Sequence, residues 1–201
     1  MDDMVVDDPH RLFAAWLAEA EAAEPNDANA MTVSTVDAEG RPSARILLLK
    51  GHDTRGFVFY TNLTSRKGRD ISGNAEVALL FHWKSLRRQV RIEGAVSPVT
   101  EAEADAYFAS RHRMSRIGAW ASRQSEPLES RAALEARVAE MEKRFDNGDP
   151  PRPENWSGFR VTPRAIEFWQ DGAYRLHDRI VYTPETPGGA SAGWRTQRLF
   201  P

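Results

Sequence analysis

Hydrophobic positions along the chain change period several times, and each change marks an element. Asp8 followed by Pro9 reads as a helix cap and first helical residue. Leu12, Phe13, Trp16 and Leu17 then recur at the spacing of one helix face. From residue 31 the period drops to two. MTVSTV (31–36) alternates, DAEG (37–40) is a turn, and SARILLLK (43–50) is a second strand. HDTRG (52–56) turns the chain into FVFYT (57–61), so these signals predict a three-stranded antiparallel meander. Alternation within the second strand sends Arg45, Leu47 and Leu49 one way and Ile46, Leu48 and Lys50 the other.

SRKGRDISGN (65–74) predicts a short helix opened by Ser65 and ended near Gly73. EVALLFHW (76–83) and RRQVRIEGAVSPV (87–99) follow as strands. On the second, Arg87, Gln89, Arg91 and Glu93 share one face, and Val90 and Ile92 the other. TEAE (100–103) is a capping box for a helix running to about Ser110. Another helix covers roughly 130–145, with Leu134, Val138 and Met141 as its inner stripe. Between them, AWASRQSEP (119–127) reads as irregular. AIEFWQ (165–170), DRIVYT (178–183) and GWRTQRLF (193–200) close the chain as strands, with PETPGGASAG (184–193) a flexible hairpin loop. Short antiparallel strands with outlying helices predict a mainly β, α+β fold: a β-barrel with peripheral helices, not a βαβ sheet. One domain is expected over 1–201, with residues 1–8 flexible.

Composition narrows the chemistry. No apolar run approaches the ~20 residues of a membrane span, and the acidic start MDDMVVDDPH is a poor targeting signal. The expectation is a cytoplasmic protein that avoids membranes. The absence of cysteine excludes disulfides, thiolate zinc sites and thiol nucleophiles. A net charge of −2 argues against a nucleic-acid partner. Yet the 27 lysines and arginines gather at SRKGR (65–69), LRRQVR (86–91), SRHRMSR (110–116) and RLHDR (175–179). Local basic clusters in a near-neutral chain suit small anions, phosphate above all; solvated surface charge is the plain alternative. The histidines lack ligand spacing, so no metal is expected. Neither a G-x-G-x-x-G nor a Walker loop occurs, and no nucleophile elbow accompanies the histidines.

One conflict is informative. Arg66 and Lys67 fall in the first turn of the Ser65 helix, where cations oppose the helix dipole. A phosphate bound at that N-terminus would reverse the sign of the arrangement. Trp169, just before RLHDR, is either barrel core or the wall of a planar ligand site, and Gln124 and Ser125 add an amide and a hydroxyl.

Taken in order, RILLLK, FVFYTN, SRKGR, LLFHW, RQVRIEG, YFASRHRMSRIGAW, RQS, FRVTPRAIEFWQ and RLHDR resemble the pyridoxine/pyridoxamine 5′-phosphate oxidase family from about residue 9 to the C-terminus. The resemblance implies a homodimeric split β-barrel with FMN at the subunit interface. It implies that Arg45, Lys50, Tyr60, Thr61, Arg66, Lys67, Gln89, Gln124, Ser125, Trp169 and Arg179 bind FMN. Lys50, Tyr107, Arg111, Ser115, Arg175 and His177 match the positions that hold the phosphorylated B6 vitamer, with Arg175 and His177 nearest the chemistry. Arg175 and His177 would alternate onto one strand face toward substrate, with Arg179 continuing toward flavin. The implied reaction oxidises pyridoxamine or pyridoxine phosphate at C4′ to pyridoxal 5′-phosphate, with O2 as acceptor and H2O2 as product. The alternatives are a split-barrel flavin oxidase of a phenazine-type substrate and a non-catalytic flavin- or haem-binding barrel. Two departures stand out. WSGF (156–159) replaces the more usual WGGF, and the chain starts close to its first helix, which bears on any lid or secondary product site built from a longer basic segment.

Overall fold

The computed structural model describes residues 6–146, 148–186 and 193–201. Helix α1, Pro9–Ala23, starts as the sequence predicts, with the Asp8 side chain accepting from the His10 N–H. It lays Leu12, Phe13, Trp16 and Leu17 into the main core. Phe13 meets Phe57 and Phe81 edge-on at 4.9 and 5.1 Å, and Trp16 meets Phe168 at 5.1 Å.

Among the described residues, nine antiparallel strands form one curled sheet: β1 (Ala30–Val36), β2 (Pro42–Leu48), β3 (Gly51–Asp53), β4 (Gly56–Asn62), β5 (Glu76–Trp83), β6 (Arg88–Pro98), β7 (Trp156–Gln170), β8 (Asp178–Pro184) and β9 (Trp194–Leu199). Their order is β2-β1-β5-β6-β7-β4-β3, with β8 on β7 and β9 on β8. β7 is the spine. Its first part pairs with β4 and its last part with β8, while β6 runs along nearly its whole length. The β6 register shifts at Glu93/Gly94, and a Cβ on Gly94 would lie 2.1 Å from the Thr162 carbonyl oxygen, so the bulge admits only glycine. The result is an α+β split barrel.

The expected meander does not form. β1 and β2 make one hairpin, β3 and β4 make another, and the two lie at opposite ends of the sheet path. Leu49 and Lys50 break the predicted 43–50 strand. The Leu49 N–H donates to the Asn29 carbonyl and the Lys50 N–H to the Val58 carbonyl, each at 2.8 Å. Local alternation identifies strands but carries no information about which distant strand they join.

Helix α2, Arg66–Gly73, begins at the Ser65 cap, whose hydroxyl accepts from the Gly68 N–H. α3, Glu101–Ser110, carries the complete Thr100–Glu103 capping box. α5, Arg131–Arg144, exists as predicted but has no buried residue. Leu134, Val138 and Met141 are only half-buried, because α5 packs against α4 at the periphery. α4, Arg113–Ala121, overlaps the stretch expected to be irregular; Ile117 and Ala121 are its buried apolar positions. The hairpin between β8 and β9 is present, with Pro184 opposite Trp194. Residues 187–192 of the predicted loop and 1–5 of the predicted flexible start lie outside the described residues. Among the described residues no helix is long and apolar enough to cross a membrane, and no group of three or more metal-ligating side chains assembles.

Candidate active site

A cleft of about 420 Å³ opens between β4, the break after β2, and helices α3 and α4. Seven of the expected residues line it: Lys50, Tyr60, Thr61, Tyr107, Arg111, Ser115 and Gln124. The Tyr60 ring is the middle of an aromatic stack, 4.0 Å from Tyr107 and 5.4 Å from Trp156. A Cβ on Gly158 would come within 2.6 Å of the Tyr60 ring, so this glycine of WSGF is the indispensable one. Ser157, the departure from WGGF, is accommodated opposite Thr61 on β4.

Arg111 lies over the Trp156 ring at 4.8 Å and the Phe108 ring at 5.5 Å. Its Nη1 is buried and has no hydrogen-bond partner among the described residues. Burial pushes this guanidinium below its ordinary value, with Tyr107 partly opposing. A buried, unpaired charged donor is costly unless an anion completes it.

Lys67 forms the floor beside the cleft. Its Nζ donates to Thr61 Oγ1 (3.1 Å), Ser65 Oγ (3.2 Å) and Gln124 Oε1 (3.0 Å). Burial, then Arg45, push this ammonium down to about 8, against the opposing pull of Asp70. Arg45 donates to the Val33 carbonyl, Thr35 Oγ1 and Ser43 Oγ, each at 2.9 Å, and lies 3.7 Å from Asp70. Burial also lowers Arg45; Asp70 opposes this, and Arg66 adds to it. Arg45 and Lys67 thus both act on the Asp70 carboxylate, and Arg66 adds a further cation near Arg45 at the start of α2. That donor set fits a phosphate dianion. Ser125 follows Gln124 in a left-handed turn at φ 74°.

The remaining expected residues stand elsewhere. Gln89, Trp169 and Arg179 are direct cross-strand partners on β6, β7 and β8, a single row across the sheet. Arg179 donates to Glu167 Oε1 at 2.7 Å, which raises its pKa, and Glu167 also holds Arg91. His177 packs on Trp169 at 4.7 Å and contacts Asp171 at 3.0 Å. Arg175 corrects an expectation: it is not on a strand. Ala173–Arg175 is a 3₁₀ turn with Tyr174 and Arg175 at φ 57° and 65°, and β8 starts only at Asp178. Alternation therefore does not relate Arg175 to His177 or Arg179. Arg175 is exposed on that corner. No hydrogen bond or ion pair of the described residues joins this face to the cleft.

Sequence reasoning missed Trp156, Asp70, Asp171 and Glu167, and it put Arg87 on the β6 face, whereas β6 starts at Arg88 and Arg87 sits in the turn before it at φ 55°. Trp156 carried a signal, since WSGF opens with it; the others are acids whose roles arise from contacts distant in sequence.

The fold and the site define a split-barrel protein whose cleft presents Lys50 and Arg111, beside the Lys67 cluster at the start of α2, a setting suited to anions. Residues 17–145 match the family described as "Pyridoxamine 5′-phosphate oxidase", and residues 156–201 match its "Pyridoxine 5′-phosphate oxidase C-terminal dimerisation region". The chain belongs to the pyridoxine/pyridoxamine 5′-phosphate oxidase family. It is 63% identical over 195 residues to the pyridoxine/pyridoxamine 5′-phosphate oxidase of Caulobacter vibrioides, covering 97% of this chain and 86% of that protein. The protein of that name from Gluconobacter oxydans is 62% identical, over 96% of this chain and 94% of its own. Among solved structures, PhzG from Burkholderia lata 383, in complex with tetrahydrophenazine-1-carboxylic acid, superposes with a TM-score of 0.90 at 32% identity, covering 99% of this chain and 95% of that one.

Proposed function

We propose that the protein is an FMN-dependent oxidase that converts pyridoxamine 5′-phosphate or pyridoxine 5′-phosphate to pyridoxal 5′-phosphate, using O2 and releasing H2O2. The observation that carries this reading is the buried, unpaired Arg111 Nη1 in a cleft that also presents Lys50, Tyr107 and Ser115. Four groups able to donate to phosphate converge there, and the Nη1 of Arg111 has no hydrogen-bond partner among the described residues.

Bound FMN would supply the redox chemistry, a two-electron oxidation at the substrate's C4′ with O2 as final acceptor. The chain supplies position and charge. Arg45, Arg66, Lys67 and Thr61 hold the cofactor phosphate, with Gln124 braced against Lys67 and Tyr60 and Ser125 beside it. Lys50 serves both phosphates. Gln89, Trp169 and Arg179 form one wall for the flavin ring, and Arg175 and His177 orient the reacting end of the substrate.

The two residue groups occupy separate parts of one chain, which favours a site completed by a second copy. The dimerisation region matched by residues 156–201 contains Trp169, Arg175, His177 and Arg179 of that group, with Gln89 paired to it from β6. Exposed apolar side chains also cluster near it in sequence: Tyr174 is 96% exposed, Leu176 70% and Phe200 94%. A homodimer with FMN between subunits accounts for both observations.

The test is anaerobic. The purified protein should be yellow, with about one FMN per subunit, and pyridoxamine 5′-phosphate should bleach it. A haem spectrum, or a bound flavin that only a phenazine-type substrate reduces, would overturn the reading.

A further inference from the structure

Asp171, to which the proposed function assigns no role, is joined to two partners. Its Oδ2 pairs with the Arg87 guanidinium, and its Oδ1 lies 3.0 Å from His177 Nδ1. The contact is sheltered: the Asp171 side chain is 14% exposed and that of His177 20%.

The backbone is bent to make this arrangement. Arg87 closes the turn between β5 and β6 at φ 55°, a left-handed conformation that side chains disfavour. Its carbonyl accepts from the Asp171 N–H at 3.0 Å and from Gln170 Nε2 at 3.3 Å. One strained residue therefore grips the exit of β7 through its backbone and Asp171 through its side chain.

A neutral imidazole carries one N–H. Only a proton on Nδ1 makes a 3.0 Å approach to a carboxylate attractive. The Gly172 N–H also faces Nδ1, at 3.2 Å, and favours the opposite tautomer. The charge-assisted contact is the stronger of the two. Nε2 is then left bare, an acceptor for an N–H or O–H.

We propose that Asp171, held by Arg87, is a positioning residue that fixes His177 as its Nδ1–H tautomer against Trp169, so that Nε2 accepts a hydrogen bond from the amine or hydroxyl on C4′ of the substrate. This rests on the reading of His177 as a substrate-holding residue.

The experiment compares FMN-loaded wild type, Asp171→Ala and Arg87→Ala. Long-range proton–nitrogen NMR spectra of the histidine rings are recorded at about pH 8, above the ordinary imidazole value of about 6.5. His177 should be protonated on Nδ1 in wild type. In Asp171→Ala the proton should move to Nε2, with the Gly172 N–H holding Nδ1. The kcat/KM for pyridoxamine 5′-phosphate should fall about ten- to hundredfold while FMN stays bound. Arg87→Ala keeps the carboxylate and should give a smaller change of the same kind; it carries the comparison if Asp171→Ala folds poorly. A wild-type ring protonated on Nε2, an unmoved tautomer in Asp171→Ala, or a moved tautomer with unchanged kcat/KM overturns the proposal. Failure of the underlying reading looks different: wild type would oxidise no B6 phosphate, or His177→Ala would leave the rate intact.

Discussion

The cleft beside α2 and the corner between β7 and β8 hold the two halves of the expected site, and they are built in opposite ways. The cleft is finished within one chain. Lys67 has three oxygen partners, Tyr60 is clamped between two rings, and Arg111 rides on Trp156. The corner is half-built. Its row of Gln89, Trp169 and Arg179 is set by strand register, but Arg175 is exposed on a strained turn. Phosphate recognition needs preorganised charge, which one fold can bury. Recognition of a planar ring needs two walls, and a single sheet face provides one.

Four measurements test that contrast. The largest effect is expected in the finished half. Lys67→Met removes a buried cation and leaves Gln124 Oε1 and Thr61 Oγ1 without their donor, so FMN affinity should fall about tenfold to a hundredfold or more, from a charge-assisted hydrogen bond of roughly 1.5–3 kcal/mol. Equilibrium dialysis reads this directly; undiminished affinity would mean the phosphate lies elsewhere.

In the open half, the two arginines should separate. If Arg175 touches substrate alone, as proposed, Arg175→Ala should keep its colour and lose about ten- to hundredfold in kcat/KM. Arg179→Ala should weaken flavin binding and recover activity with excess FMN. The Glu167 carboxylate that Arg179 leaves behind still has Arg91, so the fold should survive. Reversed behaviour of the pair would reverse their roles.

Titration offers a third discriminator. The Lys67 ammonium sits at about 8 before any anion binds. Flavin phosphate favours the protonated form, so FMN affinity should decline above pH 8 by up to about tenfold per unit until the complex itself deprotonates. The stability of the flavin-free protein runs the other way. A folded value below the unfolded 10.5 means that Lys67's share of stability is complete above about 10.5 and is lost as pH falls through about 8. Flavin affinity indifferent to pH between 7 and 10 would remove Lys67 from the phosphate site.

The smallest effect is expected at Trp156→Leu. It removes a cation–π contact worth about 0.5–2 kcal/mol. The substrate KM should rise a few-fold to about thirtyfold, with FMN retained. An unchanged KM would show that Arg111 is positioned by its backbone alone.

Part of the finished half was legible in local patterns. The Ser65 and Thr100 caps and the cations opposing the α2 dipole are of that kind, and local physics determines them; Lys50, Tyr107, Arg111 and Ser115 were reached through family resemblance. The open half was legible only through family resemblance. RLHDR reads as a strand because its residues alternate, yet Gly172 leads into a turn with two consecutive left-handed residues. The meander failed for a related reason: hairpin signals say where a strand ends, not that β1 will find β5 and β4 will find β7. α4 carried a helical pair in Ile117 and Ala121, diluted by Gly118 and by the polar run SRHRMSR.

The break at Leu49–Lys50 has a consequence for how the molecule comes into being. β2 and β3, the two ends of the main sheet path, are neighbours in the chain, so this dipeptide is the seam along which the barrel shuts. The seam's Lys50 N–H is tied to Val58 on β4, and β4 joins the rest of the sheet through β7, whose residues lie about a hundred positions further on. Pairings of such long sequence separation form slowly. Lys50 therefore reaches the cleft only after the C-terminal half has been synthesised and docked. Flavin uptake during biosynthesis should report closure of the barrel, and a chain released early should stay colourless however many of its phosphate ligands have already been made.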